Sequence, residues 1–225
     1  MGVSCYNCGM MGEGILFLYS RYLMVTNRYT PKVIVYEVTS GYDLLTDDYT
    51  KYLGWQKRYC DIPGVMDVIV DISPSERWKL KSNLYRHSGK FVQLIADNIN
   101  SLHEVENGYM PMTGVMDYEP EIDDNLKPAV HWDAKKKSYF ERLVNDCRSK
   151  GITLIFAYSP TYGAKSSSEY DEFTEFCKEK GIPLIDYFAK EGLSDNKAYF
   201  SDRVHLNDTG AREYTKAVVG ELRDF

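Results

Sequence analysis

Two stretches some thirty residues apart share one grammar: RSKGITLIFAY at residues 148–158 and KEKGIPLIDYF at residues 178–188. In each, a helical run stops at a glycine and an apolar run follows. Residues 134–150 place Phe140, Leu143, Val144 and Cys147 at the i, i+3, i+4, i+7 spacing of a helix with one buried face. Gly151 ends it, and residues 152–158, bounded by Ser159-Pro160, read as a strand buried on both faces. A second helix over about 168–180, with Phe173, Phe176 and Cys177 on one side, ends at Gly181 before a strand at 182–187. Helices alternating with buried strands need crossover connections, so the chain is expected to be an α/β protein with a mostly parallel sheet.

The first half extends the pattern. KVIVYEVT at residues 32–39 follows Pro31 and is strand-like, after a helix expected over about 13–27. Val3 to Tyr6 reads as a short strand leading into Asn7-Cys8-Gly9-Met10-Met11-Gly12. Four strands result, and a last helix over 208–222, with Ala211, Tyr214, Val218 and Leu222 on one face, closes the sheet. Residues 44–130 are too long for a simple connection. Ser73-Pro74-Ser75-Glu76 reads as a capping box opening a helix through Trp78, Leu80, Leu84 and Tyr85. A second helix carries Phe91, Leu94, Ile95 and Leu102. Residues 44–130 are therefore expected to be a helical cap within one domain spanning 1–225.

Composition narrows the partners. The 27 Lys and Arg against 33 Asp and Glu leave a net charge of −6. The densest basic cluster is Lys135-Lys136-Lys137, so no basic stripe marks a nucleic-acid partner. No run reaches the ~18 apolar residues of a membrane helix. With Met1 leading almost directly into a strand, no export signal is read. Cys5, Cys8, Cys60, Cys147 and Cys177 are an odd number at irregular spacing, which argues against a disulfide framework. Cys5-x-x-Cys8 lacks the second pair or histidines of a zinc site, so buried thiols and no metal are expected. Nineteen Tyr against nine Phe and three Trp suit either a packed cap or a wall that stacks on sugar rings.

Of four histidines, His87, His103 and His131 have no carboxylate or cysteine at metal-like spacing. His205 differs. It lies in Ser201-Asp202-Arg203-Val204-His205-Leu206-Asn207-Asp208, just ahead of the last helix. An Asp three residues before a His in such a loop can accept from Nδ1–H and leave Nε2 to act as a general base on a hydroxyl.

Asp202-x-x-His205-Leu206-Asn207-x-x-Gly210-Ala211 resembles the closing block of SGNH/GDSL hydrolases, serine esterases and acyltransferases with a flavodoxin-like three-layer α/β/α fold. Asn7-x-Gly9-x-x-Gly12 resembles the block whose glycine N–H enters the oxyanion hole. Residues 32–43 and 156–160 resemble the following strand ends, and Gly108-Tyr109-Met110-Pro111 with the long insertion is similar to cell-envelope members. The resemblance implies a Ser-His-Asp ester hydrolase or O-acyltransferase acting on acyl, chiefly acetyl, esters of a glycan. His205 would be the base, Asp202 its orienter and Gly12 an oxyanion donor. Asn7, Ser40, Tyr42 and Ser159 would line the pocket, with no cofactor. For an intact protein it implies the envelope or periplasm.

Two departures stand against it. Thr39-Ser40-Gly41-Tyr42-Asp43 lacks the oxyanion Asn that the family carries there. The block with the nucleophilic Ser should lie tens of residues before Asn7, where six residues stand. Met1 is accordingly expected to be internal to a longer reading frame, or the gene truncated, with the sheet short of its central first strand. Ser40 at a strand end is better placed to substitute than Ser4, and Ser159 reads as a rim residue. The competing expectation is an inactive remnant that binds a glycan or protein. A flavin or nucleotide binder is disfavoured because the strand-end loops lack a phosphate-cradling run.

Overall fold

The computed structural model describes residues 4–88, 107–120 and 131–222, which group into two compact units. Residues 1–31, 46–110 and 138–143 make the first, and 32–45, 111–137 and 144–225 the second. The helices are α1 Ile15–Thr26, α2 Leu53–Gln56, α3 Val65–Ile72, α4 Glu76–Lys79, α5 Asn83–His87, α6 Ala134–Ser149, α7 Asp171–Lys180 and α8 Asp208–Glu221. The strands are β1 Val33–Glu37, β2 Thr153–Tyr158 and β3 Leu184–Asp186.

In the second unit the strands form an open parallel sheet in the order β1-β2-β3, so this is an α/β protein. Registered pairs run from Val33 with Thr153 to Glu37 with Ala157, and from Phe156 with Leu184 to Tyr158 with Asp186. Every residue of β2 except Thr153 is buried, as a central strand covered on both faces requires. On one face the rings of Tyr36 and Phe156 lie 5.9 Å apart, and Phe156 meets Phe173 of α7 at 4.9 Å. Trp132 stands 5.0 and 5.2 Å from Phe173 and Phe176. On the other face Ile155, Ala157, Ile185 and Tyr187 cluster with Val218, Tyr214, Ala217 and Leu222 of and beside α8. Burial of such side chains stabilises by roughly 1.5–3 kcal/mol each.

The repeated glycines perform one task. Gly151 and Gly181 take φ of 67° and 62°, the left-handed region that costs a Cβ-bearing residue energy. Each lets the next amide turn back onto the helix: Ile152 N donates to Cys147 O at 2.8 Å and Ile182 N to Cys177 O at 2.9 Å. Helix end and strand start are thereby locked together twice.

The first unit is helical around Leu53, Cys60, Val65, Ile69 and Leu80, with Leu23, Met24 and Ile72 packed against them. Buried Ser20 donates to Gln56 Oε1 at 2.7 Å, and Gln56 Nε2 donates to the Tyr52 carbonyl at 3.0 Å. The capping box does not form. Glu76 is buried and accepts from Lys57 at 3.1 Å, Lys79 at 2.9 Å and the Tyr85 hydroxyl at 3.0 Å, so its carboxylate is unavailable to the backbone at Ser73. The expected single helix splits into α4 and α5, and α3, ending just before Ser73, is a helix that the sequence pattern does not announce.

Ser4 to Tyr6 are exposed coil, a correction to the expected first strand. A strand forms only by pairing with a neighbour, and the described sheet, β1-β2-β3, does not include these residues. Cys60, Cys147 and Cys177 are buried thiols, but Cys5 is exposed and Cys8 half-buried, because the segment carrying them is not in a sheet. The helix expected at Phe91, Leu94, Ile95 and Leu102, and His103, lie outside the described residues. No described helix is long and apolar enough to cross a membrane.

Candidate functional site

The loop between Phe200 and α8 is held from several sides. Phe200 and Leu206 form an antiparallel bridge, and Ser201 N donates to His205 O at 2.9 Å. Tyr162 N donates to Arg203 O at 2.9 Å, while Met116 N donates to Phe200 O and Asp208 N to Met112 O, both at 2.8 Å. Asn207 caps α8: its Oδ1 accepts from Gly210 N at 3.0 Å, and its Nδ2 donates to Ala198 O at 2.8 Å and Gly114 O at 2.9 Å. Gly210 is required beside it, since a Cβ there would stand 2.2 Å from the Tyr199 carbonyl oxygen. Replacing Asn207 by Ala removes the cap and leaves two carbonyls without that donor. We expect it to cost about 2–4 kcal/mol, read by denaturant unfolding; Asn207→Asp should recover the capping share only.

Within this frame Asp202 and His205 meet. Asp202 Oδ2 lies 2.8 Å from His205 Nδ1, and Oδ1 accepts from the Val204 and His205 amides at 2.9 Å each. Partial burial opposes the charge on Asp202, but those amides and the His205 ring outweigh it and hold the carboxyl below its ordinary value. An ionised Asp202 fixes the Nδ1–H tautomer, which turns Nε2 into a proton acceptor. The His205 side chain is half exposed, so a hydroxyl can reach it.

The other candidate residues fall into separate places. Ser40 sits in a single π-helical turn, residues Ser40–Leu44. Its hydroxyl donates to Glu169 Oε1 at 2.6 Å and its amide to the Tyr170 hydroxyl at 3.3 Å, so its hydroxyl proton is engaged by a carboxylate and not by His205. The turn is stapled by buried Asp43, which accepts from the Tyr36 hydroxyl at 2.8 Å and Thr39 N at 2.9 Å. Tyr42 is exposed, and its carbonyl accepts from Lys136 Nζ at 2.7 Å. Ser159 directly follows β2 and is half-buried.

Gly12 and Asn7 belong to the first unit. Gly12 has φ 74° and Asn7 Oδ1 accepts from Gly9 N at 2.8 Å, so this is a glycine-dependent turn within an exposed loop. Beside it, burial pushes the Glu13 carboxyl up to about 7 against the opposing charge of Lys51. His87 and His131 are exposed. Among the described residues no three His, Cys, Asp or Glu side chains are arranged to hold a metal ion. An open cleft lined by Tyr187, Lys190, Leu193, Tyr199 and Lys216 lies on the second unit, and His205 is not in its wall.

Comparison of the chain with protein-family models, with curated proteins and with solved structures finds no match. The chemistry of the site therefore rests on its own residues.

Proposed function

We propose that the protein is an SGNH-type ester hydrolase or O-acyltransferase acting on acyl esters, chiefly acetyl esters of a glycan. The observation that carries this reading is the Asp202–His205 pair, 2.8 Å apart in a tethered loop ahead of the last helix of a parallel α/β unit. His205 Nε2 takes the proton of the attacking hydroxyl as its oxygen bonds to the acyl carbon. The ester C–O bond then breaks, and the imidazolium returns the proton to the departing alkoxide. The attacking hydroxyl belongs to a serine, a water or an acceptor sugar. Asp202 stabilises the imidazolium between the two transfers.

Acetate release from a small acetyl ester tests the reading. Asp202→Asn keeps an oxygen for the Val204 and His205 amides but favours the wrong imidazole tautomer, so turnover should fall by roughly 10³–10⁴-fold with the melting temperature little changed. Equal turnover in both proteins would sink the proposal. A second reading, a binding module without turnover, is favoured by one observation: the Ser40 hydroxyl is held by Glu169. It predicts acetate release at the buffer rate in every variant.

A further inference from the structure

We propose that the open edge of β1 is a self-association surface: β1 of a second copy of this chain pairs with it antiparallel about a twofold axis at Val35, joining two three-stranded sheets into one. The phase of the existing pairing fixes which groups face outward. Thr153 N donates to Lys32 O at 3.0 Å and Val38 N to Ala157 O at 2.9 Å, at the two ends of the registered run from Val33 to Glu37. Along a strand the N–H and C=O of one residue point to one side and those of the next to the other. Lys32, Ile34, Tyr36 and Val38 therefore direct theirs to β2, and Val33, Val35 and Glu37 aim theirs at the open edge. No described residue donates to them or accepts from them there.

A second copy fits this edge residue by residue. An antiparallel pair exchanges two hydrogen bonds wherever both residues aim at each other. With the axis at Val35, Val35 meets its own counterpart and Val33 meets Glu37 of the second copy, so every outward residue is matched. An axis at Ile34 would set Glu37 against Pro31, which has no N–H. One at Tyr36 would set Val33 against Thr39, whose N–H is already held by Asp43 Oδ2 at 2.9 Å. Val33 and Val35 are 48% and 43% exposed, so pairing also takes apolar surface from water. The run carries Lys32 at one end and Glu37 at the other; antiparallel pairing brings opposite charges together at both corners. The outer edge of β3 is built differently: it is three residues long, follows Pro183 and ends on exposed Asp186, devices that discourage pairing. Between Lys32 and Glu37, β1 has none of them.

Analytical ultracentrifugation of the full chain should show its mass pass from 26.0 kDa to twice that value as concentration rises, with a dissociation constant on the order of 10 μM. Val35→Pro removes the N–H at the axis but none of the bonds to β2, a position where an edge strand accepts proline, so the monomer should keep its melting temperature. Val35→Lys sets two ammonium groups side by side. Either change should weaken association at least about tenfold. Register is read by cross-linking in a Cys5→Ser/Cys8→Ser background, which removes the two accessible thiols. There Val35→Cys should give a covalent dimer in oxidised glutathione: two protein thiols become one disulfide, and the glutathione disulfide is reduced to two thiols. Hydrogen-bonded pairs place Cα atoms about 5.5 Å apart, within disulfide reach; Val33→Cys, about 14 Å from its counterpart, should stay uncross-linked. Monomer at every concentration up to about 100 μM, ten times that constant, overturns the proposal. So does a dimer untouched by both Val35→Pro and Val35→Lys, or cross-linking through Val33→Cys as strong as through Val35→Cys. Amide exchange that finds Val33, Val35 and Glu37 protected in the monomer would mean that a segment of the same chain fills the edge, and would overturn it too.

Discussion

His205→Ala is expected to lower acetyl-ester turnover by about 10³-fold or more, to the rate left by binding and any oxyanion donor. The size follows from what the side chain does. Without a base the attacking hydroxyl must lose its proton to water, and without the imidazolium the alkoxide departs unprotonated. The fold should tolerate the change, because the imidazole is half exposed and its partner Asp202 keeps the Val204 and His205 amides. Stability within about 0.5 kcal/mol of the unaltered protein is expected. Free imidazole added at millimolar concentration should restore part of the rate in His205→Ala, since the space left behind opens to solvent. A large loss of stability in this variant would show that the loop, and not the base, had been removed.

Lys136→Met should lower stability more than any of the substitutions above. Lys136 is completely buried, and its ammonium donates to the carbonyl oxygens of Tyr42 at 2.7 Å and Leu45 at 2.5 Å. These carbonyls belong to and follow the π-helical turn that Asp43 staples from the other side. Methionine fills nearly the same space but donates nothing, so two part-buried carbonyl acceptors lose a charged hydrogen-bond partner at about 1–3 kcal/mol each. The total of about 2–6 kcal/mol corresponds to a fall in melting temperature of roughly 5–20 °C for a chain of this size. A buried charge carries its own desolvation cost. Unchanged stability in Lys136→Met would mean that this cost cancels the two hydrogen bonds, and that the ammonium does not hold the turn in place.

Lys136 also shows where the sequence could be read further. By its neighbours Lys135 and Lys137 it belongs to a basic cluster, yet positions 136, 140, 143, 144 and 147 fall on one helical stripe, and the last four are buried. A lysine on an apolar stripe is the signal for a buried ammonium with carbonyl partners. The helix–glycine–strand units are legible because each glycine sits at the end of a strongly periodic helix, where only a left-handed residue lets the next amide turn back. The Asp202–His205 pair is legible because it is local: both partners lie in one loop, and the capping Asn207 is two residues on.

What the sequence hides is non-local. Ser73-Pro74-Ser75-Glu76 has the letters of a capping box, but the Glu76 carboxylate is claimed by Lys57, nineteen residues away, and by Tyr85. The strand expected at residues 3–6 has suitable residues, but Ser4 to Tyr6 pair with none of the described strands.

The central claim is that Asp202 and His205 form a working base for acyl transfer. The time course of acetate release from a small acetyl ester at about pH 7.5, compared with free imidazole at equal concentration, tests it most directly. A working pair releases acetate in proportion to protein concentration and at least about a hundredfold faster than imidazole, with saturation in ester. Release no faster than imidazole, without saturation, would contradict it.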